Sequence, residues 1–129
     1  MKYISLVSLY LIMTGCTTMD DQNVTTEQAL EMIRADTNIV LLDVRTPEEY
    51  AGELGHLKNS ILIPVQELES RMPEIEQYRD KKILAYCRTG RRSRTAMNLL
   101  RGKGFDALNV QGGMVEWNKL QLPHVETGK

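Results

Sequence analysis

The sequence predicts an α/β fold built on a mainly parallel sheet. Two unbroken apolar runs, Ile39–Leu42 and Ile83–Tyr86, read as strands buried on both faces, the condition found in parallel sheets covered by helices. They alternate with segments of helical period at 26–35 and 93–103, and strand–crossover–strand order argues for parallel pairing. In such a sheet ligands bind beyond the carboxyl ends of the strands. A cysteine followed by four arginines within residues 88–94 sits at one of those ends.

The elements follow in chain order. Thr25 with Gln28 three positions later is a capping-box pattern, and Ala29, Leu30 and Ile33 recur at helical spacing, which predicts a helix over 26–35. The first strand, Ile39–Leu42, runs into Asp43-Val44-Arg45. Thr46-Pro47-Glu48-Glu49 supplies an N-cap, a proline at the first helical position and a glutamate at the third, so a short helix passes through Tyr50 and Ala51 and stops at Gly52 and Gly55. Ile61–Ile63 before Pro64 is a second strand, and Val65–Met72 is expected to be an amphipathic helix with Leu68 and Met72 on one side. Ile83–Tyr86 is the third strand. Residues 93–103 carry Ala96, Leu99 and Leu100 on one face and close at Gly104. A last strand, Ala107–Val110, precedes Gly112-Gly113 and a turn or helix around Trp117. The chain has no internal repeats and no low-complexity tracts.

Composition bounds the function. The 129 residues, 42% apolar and 26% charged, suit one globular domain, and a formal charge of −1 excludes a global pull toward nucleic acid. Two distant cysteines, Cys16 and Cys87, exclude a disulfide framework and paired C-x2-C zinc ligation. With His56 and His124 as the only histidines, no metal site and no cofactor are expected. His56 reads as a turn and packing residue and Trp117 as a core anchor.

The N-terminus reads as an address. Met1-Lys2 followed by the apolar run Tyr3–Met13 is too short to anchor a chain across a bilayer and has the form of an export signal. Met13-Thr14-Gly15-Cys16 resembles the bacterial lipobox, although leucine is usual where Met13 stands. That resemblance implies diacylglycerol on Cys16 after cleavage and a membrane-anchored lipoprotein facing the periplasm or cell exterior. The expected organisation is a signal at 1–15, a polar tether at 16–23, a domain at 24–123 and a tail at 124–129.

The chemistry concentrates at Cys87. Cys87-Arg88-Thr89-Gly90-Arg91-Arg92-Ser93 joins an apolar strand to an amphipathic helix, and a tight loop there turns backbone N–H groups inward as an anion cradle. Those donors, with Arg88, Arg91, Arg92 and Arg94, are expected to lower the thiol from its ordinary value of about 8.5 and so produce a nucleophile.

Taken together, residues 24–123 resemble a single rhodanese (sulfurtransferase) domain. Asp43-Val44-Arg45 is similar to the family's D-x-R strand end, Gly55-His56-Leu57 through Pro64 to its G-H-I-x-G-A segment, and Cys87–Ser93 to its active-site loop. Gly104-Phe105 and Gly112-Gly113-x-x-x-Trp117 complete the order. Asn59-Ser60 replaces the usual Gly-Ala, and Gln121 stands where glycine commonly precedes the final apolar-Pro pair.

The resemblance implies a three-layer α/β/α fold in which Cys87 takes the outer sulfur of an anionic donor such as thiosulfate and passes it, as a persulfide, to cyanide or a thiol. Polysulfides and protein persulfides are further donor classes. It also implies that the amides of Arg88 to Arg92 stabilise the persulfide, that arginine side chains attract the donor, and that Ser93 caps the next helix and donates to sulfur. Asp43 and Arg45 are expected to form a structural ion pair bracing the loop. Phosphatases and arsenate reductases, which share this fold and a loop cysteine, need C-x5-R; here Ser93 occupies the arginine position. A non-catalytic domain that binds sulfane sulfur or a partner protein is the remaining alternative.

Overall fold

The computed structural model describes residues 22–128, so the expected signal at 1–15 and the expected lipidation site Cys16 lie outside the described residues. In chain order the elements are β1 (Asn23–Val24), α1 (Thr26–Ala35), β2 (Val40–Asp43), α2 (Pro47–Tyr50), β3 (His56–Leu57), β4 (Ile61–Leu62), β5 (Lys82–Tyr86), α3 (Arg91–Gly102), β6 (Asp106–Val110), α4 (Gly113–Lys119) and β7 (Val125–Glu126). A five-stranded, wholly parallel sheet has the order β1-β6-β5-β2-β4, with β5 between β2 and β6. This is the α/β class expected from the buried apolar runs.

Alternation along the strands divides the core in two. Leu42, Ile83, Ala85 and Ala107 face one layer with Met97 and Leu100 of α3. Leu41, Leu84, Tyr86 and Leu108 face the other, with Leu30 of α1 and Trp117 of α4. Each strand must be apolar on both sides, which is why the runs lack polar alternation. Trp117 is buried, and its indole Nε1 donates to the Pro123 carbonyl at 2.9 Å.

Both capping boxes form, at Thr25 with Gln28 and at Thr46 with Glu49. Four differences from the sequence expectations have physical causes. The helix expected over Val65–Met72 is instead a pair of 3-10 segments, Val65–Glu67 and Met72–Tyr78. Pro73 offers no amide and disfavours helical continuation before it, so the chain buries Leu68 and Ile75 through tighter turns. Helix α3 begins at Arg91, not Ser93, because Gly90 adopts φ +104 and turns the chain into the helix two residues early. Asn23, placed in the tether, is part of β1 and pairs with Asn109 of β6. Val125–Glu126, placed in the tail, pairs antiparallel with His56–Leu57 as β3 and β7. Strands of two residues carry no readable period.

Candidate active site

Cys87 follows the last residue of β5, so the central strand of the sheet delivers it to the carboxyl edge. It is the one free cysteine among the described residues, and its residue surface is only 1% exposed. Cys87 lines a cavity of about 430 Å³ together with Arg88, Thr89, Arg91, Arg92 and Thr95.

The loop is held from behind. The amides of Met114 and Val115 at the start of α4 donate to the carbonyls of Cys87 and Arg88 at 2.9 and 3.0 Å. Tied backward in this way, those carbonyls leave the loop's N–H groups free to turn toward sulfur. Gly90 N–H donates to Cys87 Sγ at 3.1 Å. The close approach of α4 depends on Gly113, which has φ +55; a Cβ there would collide with the Cys87 carbonyl oxygen and come within 2.6 Å of that of Arg88.

Ser93 lies in the first turn of α3, inside the helix, and Gly90 holds the N-cap position with no side-chain cap bond. The expectation that Ser93 caps the helix is therefore corrected: starting the helix at Arg91 places Ser93 on its buried side, where Oγ lies 3.3 Å from Cys87 Sγ and 2.6 Å from Asn109 Oδ1. Burial pushes the Cys87 thiol up, but hydrogen bonds from the Ser93 side chain and from the amides of Ser93, Gly90 and Thr89 outweigh it, and the net shift is downward. Hydrogen bonds, more than the loop arginines, dominate that lowering.

The arginines divide. Arg88 and Arg91 line the cavity as exposed residues. Arg92 also lines it, yet its guanidinium makes a bidentate pair with Glu49 of α2 at 2.6 and 2.8 Å. Arg94 is exposed on α3 and does not line the cavity, so its expected share in activating the thiol is corrected: the helix turns it away.

Asp43 and Arg45 form a buried ion pair, Nη2–Oδ2 2.7 Å, with Arg45 also donating to the carbonyls of Gly55 at 2.7 Å and Glu49 at 3.3 Å. The pair thus joins the end of β2 to α2 and to the turn before β3. It does not line the Cys87 cavity. Arg45 instead lines an adjoining cavity of about 200 Å³ with Glu49, Gly52, Glu53, Leu54 and Arg88. His56 stacks on Tyr50 at 3.7 Å between ring centroids and its Nδ1 lies 2.9 Å from the Tyr50 carbonyl oxygen, a packing role.

Comparison with known proteins gives the chain its family. The rhodanese-like domain family matches residues 25–120. The chain belongs to the rhodanese-like domain family. A sulfurtransferase of Allochromatium vinosum is 36% identical over 100 residues, covering 76% of this chain and 90% of that protein. An uncharacterized protein of Synechocystis sp. is 32% identical over 102 residues, 78% of this chain but 54% of the other, so the chain spans about half of that relative's length. The crystal structure of a rhodanese-related protein from Thermoplasma volcanium superimposes with TM-score 0.70 at 33% identity, covering 79% of this chain and 95% of that one. Rhodanese-like architecture therefore accounts for the helix-flanked parallel sheet.

Glu49, Asn109 and Gly113 are the site features that sequence reading missed. Glu49 was legible only as a helix cap, and Gly113 only as a turn. Asn109 did carry a signal, a lone amide within the expected apolar run Ala107–Val110.

Proposed function

We propose that the rhodanese-like domain is a sulfurtransferase in which Cys87 carries the sulfur. The reading rests on one observation above the others: the Cys87 sulfur accepts the Gly90 amide and meets Ser93 Oγ at the floor of an arginine-lined cavity. Such a site lowers the thiol and favours a sulfur-centred anion. In the first half-reaction the thiolate attacks the outer sulfur of thiosulfate; a new S–S bond forms, the donor's S–S bond breaks, and sulfite leaves with that electron pair. In the second, cyanide or a thiolate acceptor attacks the persulfide's outer sulfur and Cys87 leaves as thiolate. No net oxidant or reductant is needed, and ping-pong kinetics follow.

Arg88 and Arg91 attract the anionic donor, and Asp43 with Arg45 braces the elements around the loop. Phosphoryl and arsenate chemistry fit less well, because Ser93 stands where a C-x5-R loop needs its clamping guanidinium. We further propose that Cys16 is lipidated and tethers the domain to a membrane facing the periplasm or cell exterior, where a polysulfide or protein persulfide would be an accessible donor. Partitioning into detergent that is lost in Cys16→Ser tests this; a water-soluble native protein refutes it.

The test of transfer is thiocyanate formation from thiosulfate and cyanide by the wild type and Cys87→Ser. The wild type is expected to turn over and the variant to be inert, with a persulfide gain of about 32 Da, one sulfur atom, on Cys87 in donor alone. Equal rates overturn the assignment of Cys87. Sulfur gain without turnover leaves a sulfane-sulfur-binding module.

A further inference from the structure

Three buried or half-buried polar side chains connect Cys87 to the sheet edge. Ser93 Oγ lies 3.3 Å from Cys87 Sγ, Asn109 Oδ1 accepts from Ser93 Oγ at 2.6 Å, and Asn23 Oδ1 of β1 accepts from Asn109 Nδ2 at 2.8 Å. Ser93 and Asn109 are both fully buried, so water does not substitute for a missing partner.

A serine hydroxyl has one proton and two lone pairs. Ser93 Oγ is placed to donate both to Cys87 Sγ at 3.3 Å and to Asn109 Oδ1 at 2.6 Å, but its single proton serves only one of them at a time; while the shorter bond to Asn109 holds it, Ser93 has only a lone pair to offer the sulfur. A lone pair suits a neutral thiol, whose S–H can donate to it. A thiolate has no proton and requires a donor, so the same arrangement is wrong for the nucleophilic state. The conflict disappears if the Asn109 carboxamide turns half a revolution about its terminal torsion. Oxygen and nitrogen exchange nearly identical positions, Nδ2 then donates to Ser93 Oγ, and the hydroxyl proton is released toward sulfur. The reversal requires that Asn23, itself a carboxamide, turn in the same sense to keep its bond to Asn109.

We propose that Asn109 is a positioning residue whose carboxamide reverses end for end as Cys87 loses its proton, switching Ser93 from acceptor of the thiol proton to donor to the thiolate. This rests on the reading of Cys87 as the sulfur carrier and adds the device that lets one serine serve both states. The charged groups near the sulfur are Arg88, Arg91 and Arg92 around the cavity, Glu49 on Arg92, and the paired Asp43 and Arg45 on neighbouring β2. None is altered in the test.

The measurement is the pH dependence of Cys87 alkylation by iodoacetamide in the full-length protein, followed by mass on the Cys87 peptide, with circular dichroism as the fold check. Asn109→Asp presents an acceptor in both orientations and retains the Ser93 proton, so the alkylation midpoint is expected to rise by about one pH unit, a roughly tenfold slower reaction near neutrality. Asn109→Ala leaves the hydroxyl no acceptor but sulfur, and its midpoint is expected at or below the wild-type value. In a Ser93→Ala background the Asn109→Asp shift is expected to shrink to a third or less, since a direct effect of the new charge would persist there.

A rise in Asn109→Ala, or an Asn109→Asp shift undiminished without Ser93, overturns the proposal. If Asn109→Asp does not fold, the direction of Asn109→Ala alone decides. Alkylation needs no sulfur donor, so absent thiocyanate formation with this pattern intact would refute sulfur transfer and leave the amide switch standing.

Discussion

Glu49 and Arg92, 43 positions apart in sequence, meet in a bidentate ion pair, with Arg92 lining the Cys87 cavity and Glu49 the cavity beside it. The contact occupies one of the cavity's three guanidinium groups and ties α2 to α3. It also holds the Glu49 carboxyl far down, at about 2, chiefly through the hydrogen bonds from Arg92.

Glu49→Gln keeps the helix cap, since glutamine serves at that position, but frees Arg92. One added positive charge several ångströms from a divalent donor is worth about 0.5–1 kcal/mol after solvent and salt screening. The KM for thiosulfate is expected to fall about two- to fivefold, with kcat changed less than twofold. An unchanged or higher KM would mean that the pair, intact, already shapes the donor site. Acid should expose the same contact in stability. Because the folded-state carboxyl lies below its ordinary value of 4.5, the pair contributes fully above that pH and is lost as pH falls through about 2. The difference in urea midpoint between wild type and Glu49→Gln is therefore expected to shrink steadily between pH 5 and pH 2.

Gly113→Ala should damage the site from behind. It adds a methyl group against the Cys87 and Arg88 carbonyls at a backbone angle of φ +55. Strain of this kind costs about 2–4 kcal/mol. Loss of stability of that size in urea unfolding, with thiocyanate formation down at least tenfold, is the expected result. Gly102→Ala is the control: nothing lies within 4 Å of the added carbon at the end of α3, and a gain of about 0.5 kcal/mol is expected.

Two departures from the family pattern acquire a physical meaning. Asn59 and Gln121, which depart from glycine in the pattern the sequence resembles, both adopt positive φ, 62° and 52°. A left-handed conformation costs a residue with a Cβ about 1 kcal/mol, less for asparagine, whose short amide tolerates it. Gln121→Gly is expected to raise stability by about 0.5 kcal/mol once the extra freedom of the unfolded glycine is allowed for, and Asn59→Gly by less. Differential urea melts read both; a loss in Gln121→Gly would show that its side chain offsets the strain.

Most of what is local was legible in the chain. The capping boxes at Thr25 and Thr46, the doubly buried runs that became β2 and β5, and the position of Cys87 at a strand end all depend on residues adjacent in sequence, where period and side-chain chemistry act directly. The segment after Pro64 was misread because Leu68 and Met72 match a helical period that Pro73 does not permit to continue. The strands β1, β3 and β7 were invisible, since each is defined by a distant partner and is too short for a pattern of its own.

By itself, then, the sequence determined the α/β class and the family and singled out the cysteine on which the proposed chemistry is placed, because these reside in local patterns and in a contiguous loop. Tertiary structure alone decided what surrounds that sulfur. It sent Arg94 to solvent and paired Arg92 with Glu49, placed Ser93 inside α3 against the thiol, and brought Asn109 and the Gly113 turn up to the loop from β6 and α4. A side chain's direction, its partner and its burial follow from chain segments tens of residues away, and no spacing rule encodes them.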